Sequence, residues 1–198
     1  MLLKKIVILG PESTGKSTLC EQLAAHYKTI WVPEYAREYL QKNGTDYSYD
    51  DLSKIAKGQI EGEELAVGNG QWAVGSSESL VSSHESLVTG LESTPALPLF
   101  IDTDLYVIKI WSEFVFNKCE NRILTQIAKR HYDLYLLCNT DLPWQPDSLR
   151  EYPDLHTREK IYHYYKDAML NQKTAWADIS GINEERLQKA IEAVDKIL

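Results

Sequence analysis

No stretch of the chain reaches the roughly 18 consecutive apolar residues of a bilayer-spanning helix, so no membrane partner is expected. Nothing near the start resembles a secretory leader, because Lys4 and Lys5 precede only a four-residue apolar run. Cysteine is scarce. Cys20, Cys119 and Cys138 are three residues at long spacings, with no CxxC pair. That pattern excludes a disulfide scaffold or a structural zinc site, and it fits a reducing cytoplasm. The five histidines (His26, His84, His131, His156 and His163) show no HExxH or other ligand spacing and read as surface or packing residues. Basic charge is in the minority, with 21 Lys and Arg against 29 Asp and Glu, a formal net charge of −8 and no long basic run. General nucleic-acid binding needs the opposite balance. A small anionic ligand is not excluded, because local charge at a site can oppose the net charge.

What remains is an ordinary globular composition. The 198 residues are 43% hydrophobic and 25% charged, which suits one α/β domain spanning 1–198 with a full core. Residues 5–9, 29–32, 99–101, 133–138 and 174–179 read as strands. Residues 16–27, 34–42, 50–66, 105–130 (one or two helices), 157–172 and 183–198 read as helices, with Asp50 or Asp51 as the expected cap of the third. Strands alternating with helices predict parallel βαβ units in a three-layer α/β fold. Residues 68–98 interrupt this rhythm. ESLVSSH at 78–84 is followed by ESLVTGL at 85–91, with Glu78, Glu85 and Glu92 seven apart. Two copies fall short of a coiled coil, and the serines and glycines oppose a stable helix. The segment is expected to be a flexible surface insertion, with a flap or partner contact as the alternative, and deletion of 72–95 is expected to leave the fold intact.

The chemistry begins at GPESTGKS, residues 10–17, which matches G-x-x-x-x-G-K-[ST] in full, with a predicted strand before it and a helix after. Gly10 and Gly15 let the backbone curl so that loop N–H groups face a phosphate chain. Lys16 adds a point charge toward the β- and γ-phosphates, and the Ser17 hydroxyl can ligate Mg²⁺. The following helix presents its N-terminus to the anion.

Four further features belong with this loop. Asp102 ends the third predicted strand, where a second carboxylate can hold Mg²⁺ directly or through water. Asp104 is either a substrate contact or a helix cap. Glu34, just past the second strand in PEYARE, borders the ligand crevice of a parallel sheet and can accept a hydroxyl proton or bind a sugar hydroxyl. Arg37 follows one turn on, and a surface salt bridge among Glu34, Arg37 and Glu38, with Arg37 as the cation, is the plainer alternative. The loop at 139–156 carries Arg150, with Arg158 just beyond. It suits a lid closing over a transferring phosphoryl group, or else an ordinary solvated loop.

Taken together, GPESTGKSTL, VPEYAREY, FIDTDLYVIKIW with a nearby KC, and YDLYLLCNTDLPWQPDSLRE resemble the ribosylnicotinamide kinase domain of the NadR-like NAD-biosynthesis proteins. The matches run in order over nearly the whole chain apart from 68–98. The phosphate loop is shared by many enzymes; its combination with PEYARE, DTD and W-x-x-D-x-L-R is more specific. The resemblance implies a P-loop NTPase fold with sheet order 2-3-1-4-5. It also implies transfer of the ATP γ-phosphoryl group to the 5′-hydroxyl of nicotinamide riboside, giving nicotinamide mononucleotide, with ATP and Mg²⁺ as cofactors.

Carried over by position, Gly10, Pro11, Glu12, Ser13, Thr14, Gly15, Lys16, Ser17 and Thr18 would bind the ATP phosphates. Asp102 would serve Mg²⁺ or the acceptor hydroxyl, Arg150 would belong to the lid, and Glu34, Tyr35 and Arg37 would line the acceptor side. The cationic pyridinium ring of that acceptor would suit acidic and aromatic neighbours, with Tyr35, Trp111 and Trp144 as candidates. The chain departs from some relatives: no HxGH motif is present, so adenylyl transfer and DNA regulation are not expected of it. A kinase for another nucleoside or a nucleotide, and a P-loop ATPase or switch module, are the rival readings.

Overall fold

The computed structural model describes residues 3–68 and 96–198, and the repeat-bearing part of the expected insertion lies outside the described residues. Strand β1 (Leu3–Leu9) contains the run Ile6-Val7-Ile8-Leu9, every residue of which is wholly buried. Such a strand can sit only inside a sheet covered on both faces. It pairs in parallel with β3 (Leu97–Asp102), Ile6 opposite Phe100, and with β4 (Leu134–Cys138), Ile6 opposite Leu134. The short β2 (Trp31–Val32) and β5 (Trp176–Ile179) complete a five-stranded parallel sheet in the order β2-β3-β1-β4-β5.

Side-chain alternation divides the core. Ile6, Ile8, Phe100, Leu134 and Leu136 point to one face, where α1 (Lys16–His26) and α7 (Asn183–Asp195) cover them. Val7, Leu9, Leu99, Ile101 and Leu137 point to the other, under α4 (Leu105–Phe116) and α6 (Leu155–Asn171). Truncating one of these buried Ile or Leu side chains to Ala would cost about 2–5 kcal/mol. A satellite core joins Leu52, Ile55 and Ala56 of α3 (Tyr49–Gly68) to Leu105 and Ile108 of α4 and Ile123 of α5 (Asn121–Lys129). The remaining helix, α2 (Tyr35–Asn43), ends at Gly44 with φ 89°. Among the described residues, no helix is long and apolar enough to cross a membrane.

The boundaries differ from expectation for local reasons. Of the one or two helices expected over 105–130, two form, because Asn117 turns left-handed at φ 54° and the Ser112 hydroxyl donates to the Lys118 carbonyl at 2.6 Å. The third helix begins at Tyr49, so neither Asp50 nor Asp51 caps it; the Asp51 carboxylate reaches back to the Ser48 N–H at 2.8 Å, as a third-position acid does. Asp154 caps α6 by accepting from the Thr157 N–H at 2.8 Å, which shortens the predicted 139–156 loop by two residues. Strand β5 starts late because Gln172 closes a turn on Thr174, donating to its carbonyl at 2.7 Å.

Candidate functional site

The site lies at the carboxyl ends of the strands, around the turn that follows β1. Gly10 sits at φ 142°, and a Cβ there would meet the Cys138 carbonyl oxygen at 2.7 Å, so only glycine fits between β1 and β4. Gly15, at φ 76°, hands the chain to α1 without any side-chain cap. The first-turn N–H groups of α1 are thereby left for an anion. Thr14 is fully buried and closes the loop, its hydroxyl donating to the Pro11 carbonyl at 2.8 Å. Lys16 Nζ donates to the same carbonyl at 2.9 Å. Ser17 and Thr18 lie on the rim.

Asp102 is the last residue of β3 and only 1% exposed, yet its Oδ1 has no hydrogen-bond partner. Burial pushes its carboxyl up to about 7; the neighbouring Glu34 carboxylate adds to the rise, while Lys16, Ser17 and Arg37 oppose it. Thr103, next along, is a buried β-branched residue at φ 69°, a strained conformation that recurs at functional sites. It separates two carboxylates with different fates. Asp104 turns into the protein, where Oδ1 accepts from the Tyr106 N–H at 2.9 Å and Oδ2 from the Tyr135 hydroxyl at 3.2 Å. Asp104 therefore takes the cap position of α4 and lines neither cavity described below.

Glu34 occupies the cap position of α2 but spends no side-chain hydrogen bond on it, which leaves its carboxylate facing the site. Gln59 of α3, 2% exposed, bridges the two carboxylate segments: its Oε1 accepts from the Tyr35 N–H at 2.9 Å and its Nε2 donates to the Thr103 carbonyl at 3.2 Å.

Two adjoining hollows open here. A cavity of about 190 Å³ runs from the phosphate loop past Glu34 and Arg37 to an apolar and aromatic wall of Leu40, Tyr47, Leu52, Ile55, Ile108 and Trp111. Trp111 is fixed there, its indole N–H donating to the Tyr47 hydroxyl at 2.6 Å and its ring meeting Tyr152 edge-on at 5.6 Å. A shallower cleft of about 650 Å³ includes Asp102, Tyr35, Glu38 and Asp147. Ser17, Glu34, Arg37 and Arg150 border both.

Residues 139–154 lie down on the phosphate loop. The Ser13 hydroxyl accepts from the Gln145 N–H at 2.8 Å and from Arg150 Nη1 at 3.3 Å. Arg37 pairs with Asp147 of this loop at 2.7 Å, rather than with Glu34 or Glu38, the plainer alternative for it. Arg158 is buried at 3% exposure and spends its guanidinium on backbone, donating to the carbonyls of Glu12 at 3.2 Å, Ser13 at 3.1 Å and Leu142 at 3.2 Å. Trp144 covers Arg150 and Arg158, whose guanidinium carbons lie 5.8 and 5.7 Å from its ring, and lines neither hollow.

The fold thus gathers Lys16, Ser17, Glu34, Arg37, Asp102 and Arg150 around one mouth, with Tyr35 in the shallower cleft. Sequence reading missed Gln59 and Tyr47. Gln59 carries a signal only as a polar residue at a core position of α3, and Tyr47 lies in a short connection with no pattern around it.

Asp102 and Ser17 fit Mg²⁺: an unpartnered buried carboxylate oxygen and a hydroxyl are hard oxygen donors. Mg²⁺ in such sites takes one or two protein carboxylates and completes its shell with phosphates and water. No cluster of three or more acidic, His or Cys groups able to hold a metal occurs among the described residues.

A family model described as "AAA domain", AAA_28, matches residues 5–75 and 87–186. The chain belongs to the AAA_28 family. Relatives of this AAA_28 chain include the "Trifunctional NAD biosynthesis/regulator protein NadR" of Escherichia coli (strain K12), 28% identical over 151 residues that cover 74% of this chain and 31% of that protein. The protein of the same name from Salmonella typhimurium (strain LT2) matches with the same identity and coverage. The AAA_28 chain therefore spans about a third of the length of these relatives. Among solved structures, NadR in complex with NR superposes with a TM-score of 0.72 at 21% identity, over 99% of this chain and 50% of that one. NadR in complex with NAD and AMP-PNP gives 0.70 at 21%, over 99% and 49%. Thymidylate kinase from Ehrlichia chaffeensis gives 0.62 at 9%, over the whole of both chains. These likenesses establish the P-loop fold that the resemblance implied and agree with the observed strand order.

Proposed function

We propose that the chain is an ATP-dependent kinase that passes the γ-phosphoryl group to the 5′-hydroxyl of nicotinamide riboside, giving nicotinamide mononucleotide. The observation that supports a transfer reaction, rather than nucleotide binding alone, is that the cavity holding the phosphate loop runs on to an aromatic wall, with the orphaned Asp102 Oδ1 in the adjoining cleft near Ser17 and Glu34. A pure nucleotide switch has no use for that aromatic extension of the phosphate site. The choice of acceptor draws on the NadR relatives, the NadR complex with NR, and a wall that combines Tyr47 and Trp111 with Glu34 and Glu151, suited to a cationic ring.

In this reading the loop from Gly10 to Thr18 holds the ATP phosphates, with Lys16 moving from the Pro11 carbonyl to the β- and γ-phosphates. Ser17 and Asp102 would hold Mg²⁺, which when bound supplies charge neutralisation of the phosphate oxygens. Glu34 borders the acceptor cavity whereas Asp102 does not, so Glu34 orients and deprotonates the acceptor hydroxyl. Arg150 faces the transferring group from the loop above, where water exclusion makes its charge count for more. Phosphoryl transfer asks mainly for this positioning and charge balance.

The test incubates purified protein with Mg²⁺-ATP and a panel of nucleosides and nucleotides that includes nicotinamide riboside, and resolves the products by chromatography. Formation of nicotinamide mononucleotide is expected. Turnover with another acceptor alone would reject the substrate and keep the kinase. ATP hydrolysis that no acceptor accelerates would reject the kinase in favour of an ATPase or switch.

A further inference from the structure

Glu12 occupies a variable position of the phosphate-loop motif, where the cradle itself needs only backbone. Its carboxylate lies over neighbouring chain instead: Oε2 accepts from the N–H of Glu151 at 3.0 Å and of Tyr152 at 3.2 Å. These are the two residues that follow Arg150. Hydrogen bonds from N–H groups to a carboxylate are short and strong for their class. Arg150 is held from its other side too, Nη1 donating to the Ser13 hydroxyl and to the Gln145 carbonyl, and its own N–H closing a turn on the Asp147 carbonyl at 3.1 Å. A carboxylate beside an anion-binding loop repels phosphate unless its charge is answered. Here the two loop N–H groups answer it, together with the nearby Lys16 charge, against the burial that pushes the Glu12 carboxyl above its ordinary value.

We propose that Glu12 is a positioning residue: its carboxylate latches residues 139–154 onto the phosphate loop and sets the register of Arg150 over the transferring phosphoryl group. This deepens the kinase reading and rests on it for the task of Arg150; the latch itself does not depend on it. Ser13 extends the same clasp, so two motif positions free to vary for phosphate binding are committed to the loop above.

The experiment compares the wild-type chain with Glu12→Ala and Glu12→Gln by residue-resolved amide hydrogen exchange, with and without Mg²⁺-AMP-PNP, and by steady-state kinetics. Glu12→Ala is expected to speed exchange at Glu151 and Tyr152 by about tenfold or more. Glu12→Gln, which keeps an acceptor oxygen of the same reach, is expected to fall between. Transfer in Glu12→Ala is expected to lose about tenfold in kcat while KM for ATP changes less than about threefold, because the phosphates are held elsewhere. The ratio of ATP hydrolysed to product formed is expected to rise. A merely structural loss would scale the active fraction and leave that ratio alone. Unchanged exchange at Glu151 and Tyr152, or raised exchange with unchanged kcat and hydrolysis ratio, overturns the proposal. Should Glu12→Ala fail to fold, Glu12→Gln carries the same comparison. Should the wild type phosphorylate no acceptor, the kinase reading falls, and the latch stands or falls on exchange alone.

Discussion

Asp102 is a buried carboxyl whose Oδ1 has no hydrogen-bond partner and whose charge Lys16, Ser17 and Arg37 answer only in part. Its carboxyl, ordinarily near 3.8, is pushed up to about 7 by burial and by Glu34. As pH rises from about 4 to about 8 the unfolded chain gives up this proton first, so the native state loses stability across that window. Replacing Asp102 with Asn removes the penalty. Ligand-free Asp102→Asn is expected to melt at least about 3 °C higher than the wild type at pH 8, with the gain vanishing near pH 4, while transfer falls by about a hundredfold or more. Asp104 is raised to about 7 by burial as well, with Glu63 adding to it, and titrates in both proteins, so the comparison is variant against wild type at each pH by calorimetry. A lower melting point for the variant at pH 8 would show that the charge is compensated after all. Lys16→Ala is expected to lose at least about tenfold in rate, about 1.4 kcal/mol of transition-state stabilisation, in the same assay. At this scale the sequence was readable wherever a motif position and a strand end coincided, as at Lys16, Ser17 and Asp102. Asp104 was not, because a carboxylate after a strand satisfies a helix cap as readily as a ligand, and only the direction in which Thr103 turns the chain decides between them.

The elements around the mouth are held by pairings between distant segments, which is why strands and helices could be read from local pattern while their clasps could not. The continuous apolar, β-branched run Ile6 to Leu9 gave away a buried central strand, and the helical faces of α1 and α7 followed. Nothing near Arg37 in sequence foretold Asp147, 110 residues away. That pair joins α2 to the loop bearing Arg150 and is partly exposed, so it is worth about 0.5 kcal/mol at low salt. Asp147→Asn is expected to raise KM for the acceptor by about threefold, with a smaller change in kcat and a weaker effect at high salt, measured by initial rates at two ionic strengths. Helix α3 contributes by what it omits. A Cβ at Gly58 would meet the Tyr35 ring at 2.1 Å. Gly58→Ala is therefore expected to displace that ring, shifting acceptor KM by about threefold or more. The melting point should move only a few degrees, since the gain in helix propensity offsets part of the crowding. An unchanged KM would mean that the shallower cleft takes no part in acceptor binding.

For the whole molecule, the sheet order places β1 between β3 and β4, so one phosphate loop receives a carboxylate from one neighbour and abuts the other. A ligand held by that loop and that carboxylate would tie β1 to β3 and is expected to stabilise the entire fold rather than one loop. At a concentration of about 100 times its dissociation constant, Mg²⁺-AMP-PNP is expected to add about 2.7 kcal/mol, or roughly 5–10 °C in melting temperature, by thermal shift. Chelation of Mg²⁺ is expected to remove most of that gain, and a shift of under about 2 °C would contradict the donor site. The Gln59 amide has a consequence for how such a molecule can move. By holding the Tyr35 N–H with one end and the Thr103 carbonyl with the other, it makes the start of α2 and the end of β3 a single mechanical part. Any motion that admits an acceptor by swinging α2 away must either carry Asp102 along or break at least one of the two Gln59 hydrogen bonds. On the proposed kinase reading, opening is therefore expected at residues 139–154 rather than at the floor that Gln59 ties together.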